Sequence, residues 1–245
     1  MPIAGTRIPL NSTEGQDRIT ITEKVTSPYF SDNATELLAA NIVTSSLTDT
    51  NETYYFGISN SSTPTTVEFH VAFGSIDGFG GNTIGGTVKS PTEAIYKEWA
   101  NILLPANEVT GGFFISDQGS AGQLSNTNDD EIFILVAERS LMKDRLNKKN
   151  WTIALSGSAT LGVGSGADGA PKLELTDDST NDSPTATPVG DRYNIVSGTN
   201  GTVHTAATTR TFGFYYPDMG VMVFSAAELS ASIPGSGSAA NVAAK

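Results

Sequence analysis

Residues 209–224 read TRTFGFYYPDMGVMVF. Phe212, Phe214, Tyr215, Tyr216, Met219, Val221, Met222, Val223 and Phe224 make this the densest apolar and aromatic run of the chain. Aromatic and β-branched side chains favour a pleated, buried surface. Pro217 presets φ for the second position of a turn, and Gly220 takes backbone angles that a side chain resists. The stretch therefore predicts two short strands around a Pro-Asp-Met-Gly turn. A hairpin this apolar needs cover from a sheet or a helix, which places it at the centre of the fold, with Phe212, Phe214, Tyr216 and Phe224 as expected core. Its chemistry is plain: one Asp, one Arg and two Tyr, with no His and no Ser beside a base. It reads as structure, not as a reaction centre.

Other segments supply partners for this hairpin. VEFHVAF at 67–73 alternates Val67, Phe69, Val71 and Phe73 with Glu68 and His70 on the other face. It pairs naturally with TYYFGIS at 53–59 as an antiparallel hairpin. EIFILVA at 131–137 is nearly continuous in apolar residues, which predicts a central strand covered on both faces. GFFIS (112–116), WTIAL (151–155), KLEL (172–175) and YNIV (193–196) predict further strands. The best helix starts with Ser90 as N-cap, Pro91 at the first position and Glu93 at the capping-box position. Ile95, Trp99, Ile102 and Leu103 then form one apolar stripe, with Trp99 as the expected anchor and Pro105 as the stop. Two more short helices are expected at 33–42 (NATELLAANI) and 140–149 (SLMKDRLNKK), and a last helical turn at 226–231.

The expected fold is α+β and predominantly β: an antiparallel sheet or sandwich core with two or three short helices. Trp99 and Trp151 sit in regular apolar segments and are assigned to that core. One domain is expected over 25–232. Within it, 75–88 is a glycine-rich loop and 156–190 an irregular excursion with one short strand. Residues 1–24 read as an extended arm, in which RITIT at 18–22 alternates. Residues 233–245 are Pro/Gly/Ser/Ala-rich and read as a flexible tail.

The 245 residues carry 14 Lys+Arg against 26 Asp+Glu, a net charge of −12. Proteins that neutralise phosphates carry the opposite balance, so neither nucleic acid nor an anionic membrane surface is an expected partner. There is no cysteine, which removes disulfides, thiolate metal sites and cysteine nucleophiles together. No stretch has the length of a signal-peptide core or a membrane span, so synthesis in a cytoplasm is expected. Charged residues make up 16%, against about 25% in ordinary soluble chains. That balance suits a protein that keeps much of its surface against other subunits.

No constellation assigns a catalytic, cofactor-binding or metal-binding residue, and no cofactor or small-molecule substrate is expected. His70 and His204 are the only histidines, and each reads as a hydrogen-bonded structural residue. Asp129, Asp130 and Glu131 form one acidic cluster, and Asp177, Asp178 and nearby Asp182 another. Paired acids serve glycoside hydrolysis or calcium binding. Here they stand in Ser/Thr/Asn-rich sequence and read as solvated loop acids. GxSxG and phosphate-loop motifs are absent. The basic cluster is the candidate interface: Arg139, Lys143, Arg145, Lys148 and Lys149 place five of the 14 positive charges within eleven residues. On an acidic protein it suits docking onto an acidic patch of another copy or another subunit. The plainer reading is a solvated helix face with Glu138 and Asp144 as local partners.

Several segments in order carry a resemblance: YYFGIS, FHVAFG with its glycine-rich loop, PTEAIYKEWANILLP, GGFFIS, DDEIFILVAERSLMKDRLNKKNWTIALSG, LTDDS, RYNIVSG and TFGFYYPDMGVMVFS. From residue 54 to about 230 the chain resembles virion structural proteins of contractile-tailed phages that infect marine cyanobacteria and related bacteria. An aromatic strand, an FG pair and a Pro-Thr helix start are similar to baseplate wedge subunits. The resemblance implies a non-enzymatic component of the virion, assembled in the host cytoplasm. Its partners would be other virion subunits and copies of itself, and a place in the baseplate or neck follows. A capsid decoration protein is the alternative within that class. Outside it stand a receptor- or carbohydrate-binding module and, last, an enzyme.

Overall fold

The computed structural model describes residues 30, 42–46, 55–60, 66–78, 91–115, 128–156, 163–165, 171–204 and 210–229. The N-terminal arm, residues 33–41 of the expected first helix, residues 79–88 of the glycine-rich loop, the Ser90 cap and the C-terminal tail lie outside them. In chain order the elements are β1 (Ile42–Ser46), β2 (Tyr55–Asn60), β3 (Val67–Ser75), α1 (Pro91–Leu103), β4 (Glu131–Ala137), β5 (Ile153–Ser156) and β6 (Val163–Ser165). There follow β7 (Pro171–Asp177), β8 (Thr185–Thr187), β9 (Gly190–Thr199), β10 (Thr202–Val203), β11 (Thr211–Tyr216) and β12 (Val221–Ser225). The fold is thus predominantly β, with one helix among the described residues.

The strands form one antiparallel sheet in the order β1-β2-β3-β4-β12-β11-β9-β7-β5, with β6, β8 and β10 attached to β7 and β9. The aromatic hairpin β11–β12 lies in the middle, between β9 and β4. Every residue of both its strands is buried. Its turn closes with the Gly220 amide donating to the Tyr216 carbonyl at 3.0 Å. Gly220 sits at φ 71, and a Cβ there would meet the Met142 sulfur at 2.5 Å. Both the angle and the space demand glycine. A second tight turn joins β9 to β10, where Asn200 and Gly201 have φ 47 and 74. Two consecutive positive angles are the signature of the I′ hairpin turn.

The sheet separates two apolar clusters, one on each face. On one face Ala72, Ile132, Ile134, Phe214, Tyr216, Val221 and Val223 meet Ile95, Tyr96, Ala100 and Leu103 of α1, with Phe113 and Ile115 of the following loop. On the other, Phe212, Tyr215, Met222, Phe224, Leu173, Leu175, Tyr193 and Ile195 pack with Leu146 and Trp151. Strand alternation accounts for most of this, since Met222 and Phe224 oppose Val221 and Val223. Phe212 does not follow the alternation. The β9–β11 register shifts between Thr211 and Gly213, so one extra residue enters β11. That bulge puts Phe212 on the same face as Tyr215, where strict alternation would separate them.

Several expectations are corrected. Residues 140–149 are not a helix but a run of turns and bends. The chain leaves β4 and crosses the sheet face as a strap, with the Leu146 amide donating to the Pro217 carbonyl at 3.0 Å. Residues 112–115 of GFFIS are not a strand. The Gly112 amide turns back to the Glu108 carbonyl at 3.1 Å, Phe113 N–H donates to the Tyr96 hydroxyl at 3.0 Å and Ile115 N–H to the Asp129 carboxylate at 2.6 Å. The 156–190 excursion holds three strands, and β7 is an interior strand of the sheet, with Leu173 and Leu175 buried. Tyr96, not Trp99, anchors α1: Tyr96 is fully buried while Trp99 is half-buried. EIFILVA is sealed on one face by Ile132 and Ile134, while Phe133 and Leu135 on the other remain half-buried.

Candidate functional site

The two acidic clusters are best understood from their hydrogen bonds. Asp129 is buried. Its Oδ2 accepts the Ile115 amide, its Oδ1 accepts the Ser225 hydroxyl, and its carbonyl accepts the Tyr96 hydroxyl at 2.8 Å. Burial pushes the Tyr96 hydroxyl up to about 12, so it stays a donor. Asp177 is also buried, and accepts the Lys149 amide at 2.9 Å and the Ser179 hydroxyl. Asp178 takes the Asn194 amide at 3.0 Å on one oxygen and the Asn194 side-chain amide at 2.9 Å on the other. Burial raises its carboxyl to about 6 against those hydrogen bonds, with Asp182 and Asp177 adding to the rise. Asp130 and Asp182 are exposed, but Asp129, Asp177 and Asp178 are not the solvated loop acids the sequence predicts. They terminate strands and pin loops, and their oxygens are engaged in doing so.

The histidines are held at the surface. His70 lies 3.1 Å from Glu138, and His204 contacts Thr199 at 3.0 Å. The His70 contact and the Ser140 hydrogen bonds hold the Glu138 carboxyl below its usual range. Among the described residues no group of three or more His, Asp or Glu is placed to hold a metal ion. No described helix is long and apolar enough to cross a membrane.

The basic cluster becomes two different things once the strap is laid down. Glu138 donates its amide to the Glu68 carbonyl at 2.9 Å, and the Leu141 and Met142 amides turn back to the Glu138 carbonyl. Met142 is buried against Gly220, and Leu146 packs into the second cluster. The strap therefore brackets the 217–220 turn. Beyond it Lys148 donates to the Tyr193 hydroxyl at 2.8 Å, with its Nζ 4.8 Å from the ring centroid. Lys149 sits at φ 63 and offers its amide to Asp177. Trp151 closes the strap edge-on to Tyr215, with ring centroids 5.4 Å apart.

Lys148 thus belongs to the internal packing, as does the backbone of Lys149. Arg139 and Lys143 are exposed and Arg145 is half-buried, all beside the hairpin tip. In that tip Met219 is 38% exposed, one of two large hydrophobics so placed among the described residues. Sequence reading counted Met219 with the buried run. Its position between Asp218 and Gly220, inside the turn, was the available sign that it faces outward. The site is an exposed Met219 with Arg139, Lys143 and Asp144 exposed on the strap beside it, while the Asp218 carboxylate turns toward Gly190. Of the residues assigned to the core, Phe212, Phe214, Tyr216 and Phe224 are buried and Trp151 is half-buried like Trp99. Such a surface suits contact with an acidic partner; it assembles no nucleophile, base or oxyanion site. No family model, curated protein or solved structure matches the chain, so its meaning rests on this geometry.

Proposed function

We propose that the chain is a non-enzymatic structural subunit of a contractile-tailed phage particle, in the baseplate or neck of the tail, acting by packing against neighbouring subunits. One contrast carries this reading. The buried carboxylates are engaged in holding the fold, whereas the outward chemistry gathers at the hairpin tip as Met219 with Arg139, Lys143 and Arg145. Exposed Met and Arg over a rigid hairpin resemble the anchors of protein interfaces, where a few such residues carry most of the contact energy. The hairpin is the most deeply buried part of the sheet, so the knob is presented without ordering cost. The ordered resemblance in sequence supports the virion assignment.

A cryo-EM map of the intact particle, with this chain placed by side-chain density, tests it. Six- or threefold copies in the baseplate or neck, with the hairpin tip against a neighbour, is the expected result. Hundreds of copies over the capsid would replace the tail assignment with a decoration role. Absence from the particle would overturn both.

A further inference from the structure

The hairpin tip is one of two charged ends of the same part of the sheet. β4 runs from Glu131 to Ala137, roughly 20 Å at about 3.3 Å per residue. The strap and the tip lie beyond its last residue. Around its first residue the β3–β4 ladder closes with Ser75 opposite Glu131, and the Ile76 amide donates to the Asp130 carbonyl at 2.8 Å. This closure brings Asp77 beside Asp130 and Glu131. Asp77 and Asp130 are exposed and Glu131 is half-buried. Desolvation first, and neighbouring carboxylates second, hold the Asp130 and Glu131 carboxyls above their usual range. At the opposite end Arg139 and Lys143 point outward and Arg145 flanks the tip.

We propose, resting on the subunit reading above, that copies of this chain join head to tail, the Arg139, Lys143, Arg145 and Met219 tip of one docking on the Asp77, Asp130 and Glu131 end of the next. Charge complementarity selects that occupant: Arg139 and Lys143 are exposed at one end, with Asp144 among them, and Asp77 and Asp130 are exposed at the other. A two-fold pair crossed antiparallel would satisfy the same charges, so the size of the assembly distinguishes the two arrangements. The two patches also stand at opposite ends of one strand, so a single copy engages two neighbours at once. Contacts of this kind generate rings when the rotation closes and filaments when it does not. Arg139 and Arg145 match carboxylates with two parallel N–H donors, which fixes the angle between neighbours.

Sedimentation velocity on the full chain at low and high ionic strength tests the proposal. Wild type is expected to form species larger than the dimer at low salt and to lose them as salt screens the exposed pairs. Reversing either end, with Arg139→Glu plus Lys143→Glu or with Asp77→Lys plus Asp130→Lys, should weaken association by roughly tenfold or more. Mixing the two variants should restore association, because each then offers the end the other needs. All these positions are at the surface, and thermal unfolding verifies the fold; the milder Arg139→Gln with Lys143→Gln repeats the test without a sign change. A wild type that stays monomeric or stops at the dimer at low salt, an oligomer indifferent to salt, or a mixture that fails to recover would each overturn the inference. Particle location decides the subunit reading separately. A chain found in the virion with these two ends apart sinks head-to-tail joining alone, while restored association of a chain missing from the virion sinks the virion role alone.

Discussion

The two faces of the sheet are both apolar, and their buried tyrosines are differently finished. On the α1 face a regular helix presents Tyr96, whose hydroxyl both donates to the Asp129 carbonyl and accepts from the Phe113 amide. On the strap face Tyr215 is as deeply buried, yet its hydroxyl and the Trp151 Nε1 have no hydrogen-bond partner. Burial raises the Tyr215 hydroxyl, with the Asp177 carboxylate adding and Arg145 opposing. The difference follows from the covers. A helix and a loop whose amides seek acceptors give a buried tyrosine two partners. On the strap the Leu146 and Lys149 amides go to the Pro217 carbonyl and the Asp177 carboxylate, away from the Tyr215 hydroxyl. Burial fixes the apolar gain at both tyrosines, and polar pairing is what separates Tyr96 from Tyr215; Tyr216, on the α1 face, shares the unpartnered hydroxyl of Tyr215.

The sharpest way to break this comparison is to cut a leucine on each side. Leu103 is fully enclosed by the helix-side cluster, so Leu103→Ala should cost about 3–5 kcal/mol. Leu146 in the strap is half-buried, and Leu146→Ala should cost less than half of that. Denaturant unfolding of both variants checks the ranking, and equal losses would show that the strap is as tightly packed as the helix.

The tyrosines give the next largest effect. Tyr96→Phe strands a buried amide and a buried carbonyl, at about 2–4 kcal/mol together. Tyr215→Phe removes a hydroxyl that no group answers, and should stay within about 1 kcal/mol of wild type. The same atom is deleted in both, so a similar loss in the two variants would refute the contrast in pairing.

The smallest expected effect lies in the β7–β9 half of the sheet. Asp178, raised to about 6 from 3.8, binds its proton more tightly folded than unfolded. Its favourable contribution is therefore complete below about pH 4 and disappears as pH rises through about 6. Against Asp178→Asn, which cannot titrate, wild type should gain about 1–3 kcal/mol on going from pH 7 to pH 4. A stability difference that stays flat over this range would remove the shift.

Much of the fold was legible because its strongest signals are local. Aromatic density marked β11 and β12, alternation marked β3, and proline at the first helical position marked α1. What stayed hidden depends on distant partners. The bulge that sends Phe212 to the second face is set by β9, and its one local sign is Gly213, a glycine inside a strand pattern. The 140–149 segment has helix-forming composition, yet Met142 is drawn into the hairpin turn, the Leu146 amide to Pro217 and Lys149 to a positive angle. GFFIS looked like a strand because its side chains are those of one. It lacks a ladder because Tyr96 and Asp129 take its amides. The candidate interface was legible as a charge cluster. Its division into an outward group and an inward Lys148 was not, since that depends on Tyr193, 45 residues away.

The β9–β10 turn carries a consequence for chemical ageing. Asn200–Gly201 is the sequence pair most prone to deamidation, in which the glycine amide nitrogen attacks the asparagine side chain and a five-membered imide forms. Here the Gly201 amide donates to the Thr176 hydroxyl at 2.8 Å, so its nitrogen is not free to attack. Thr152 donates its hydroxyl to the Asn200 side-chain oxygen at 3.2 Å and accepts the Asn200 amide at 3.0 Å. A Cβ at Gly201 would lie 2.7 Å from Lys149, which leaves the turn little room to rearrange toward the imide. The two threonines that stitch this turn to neighbouring strands thus also slow its clock.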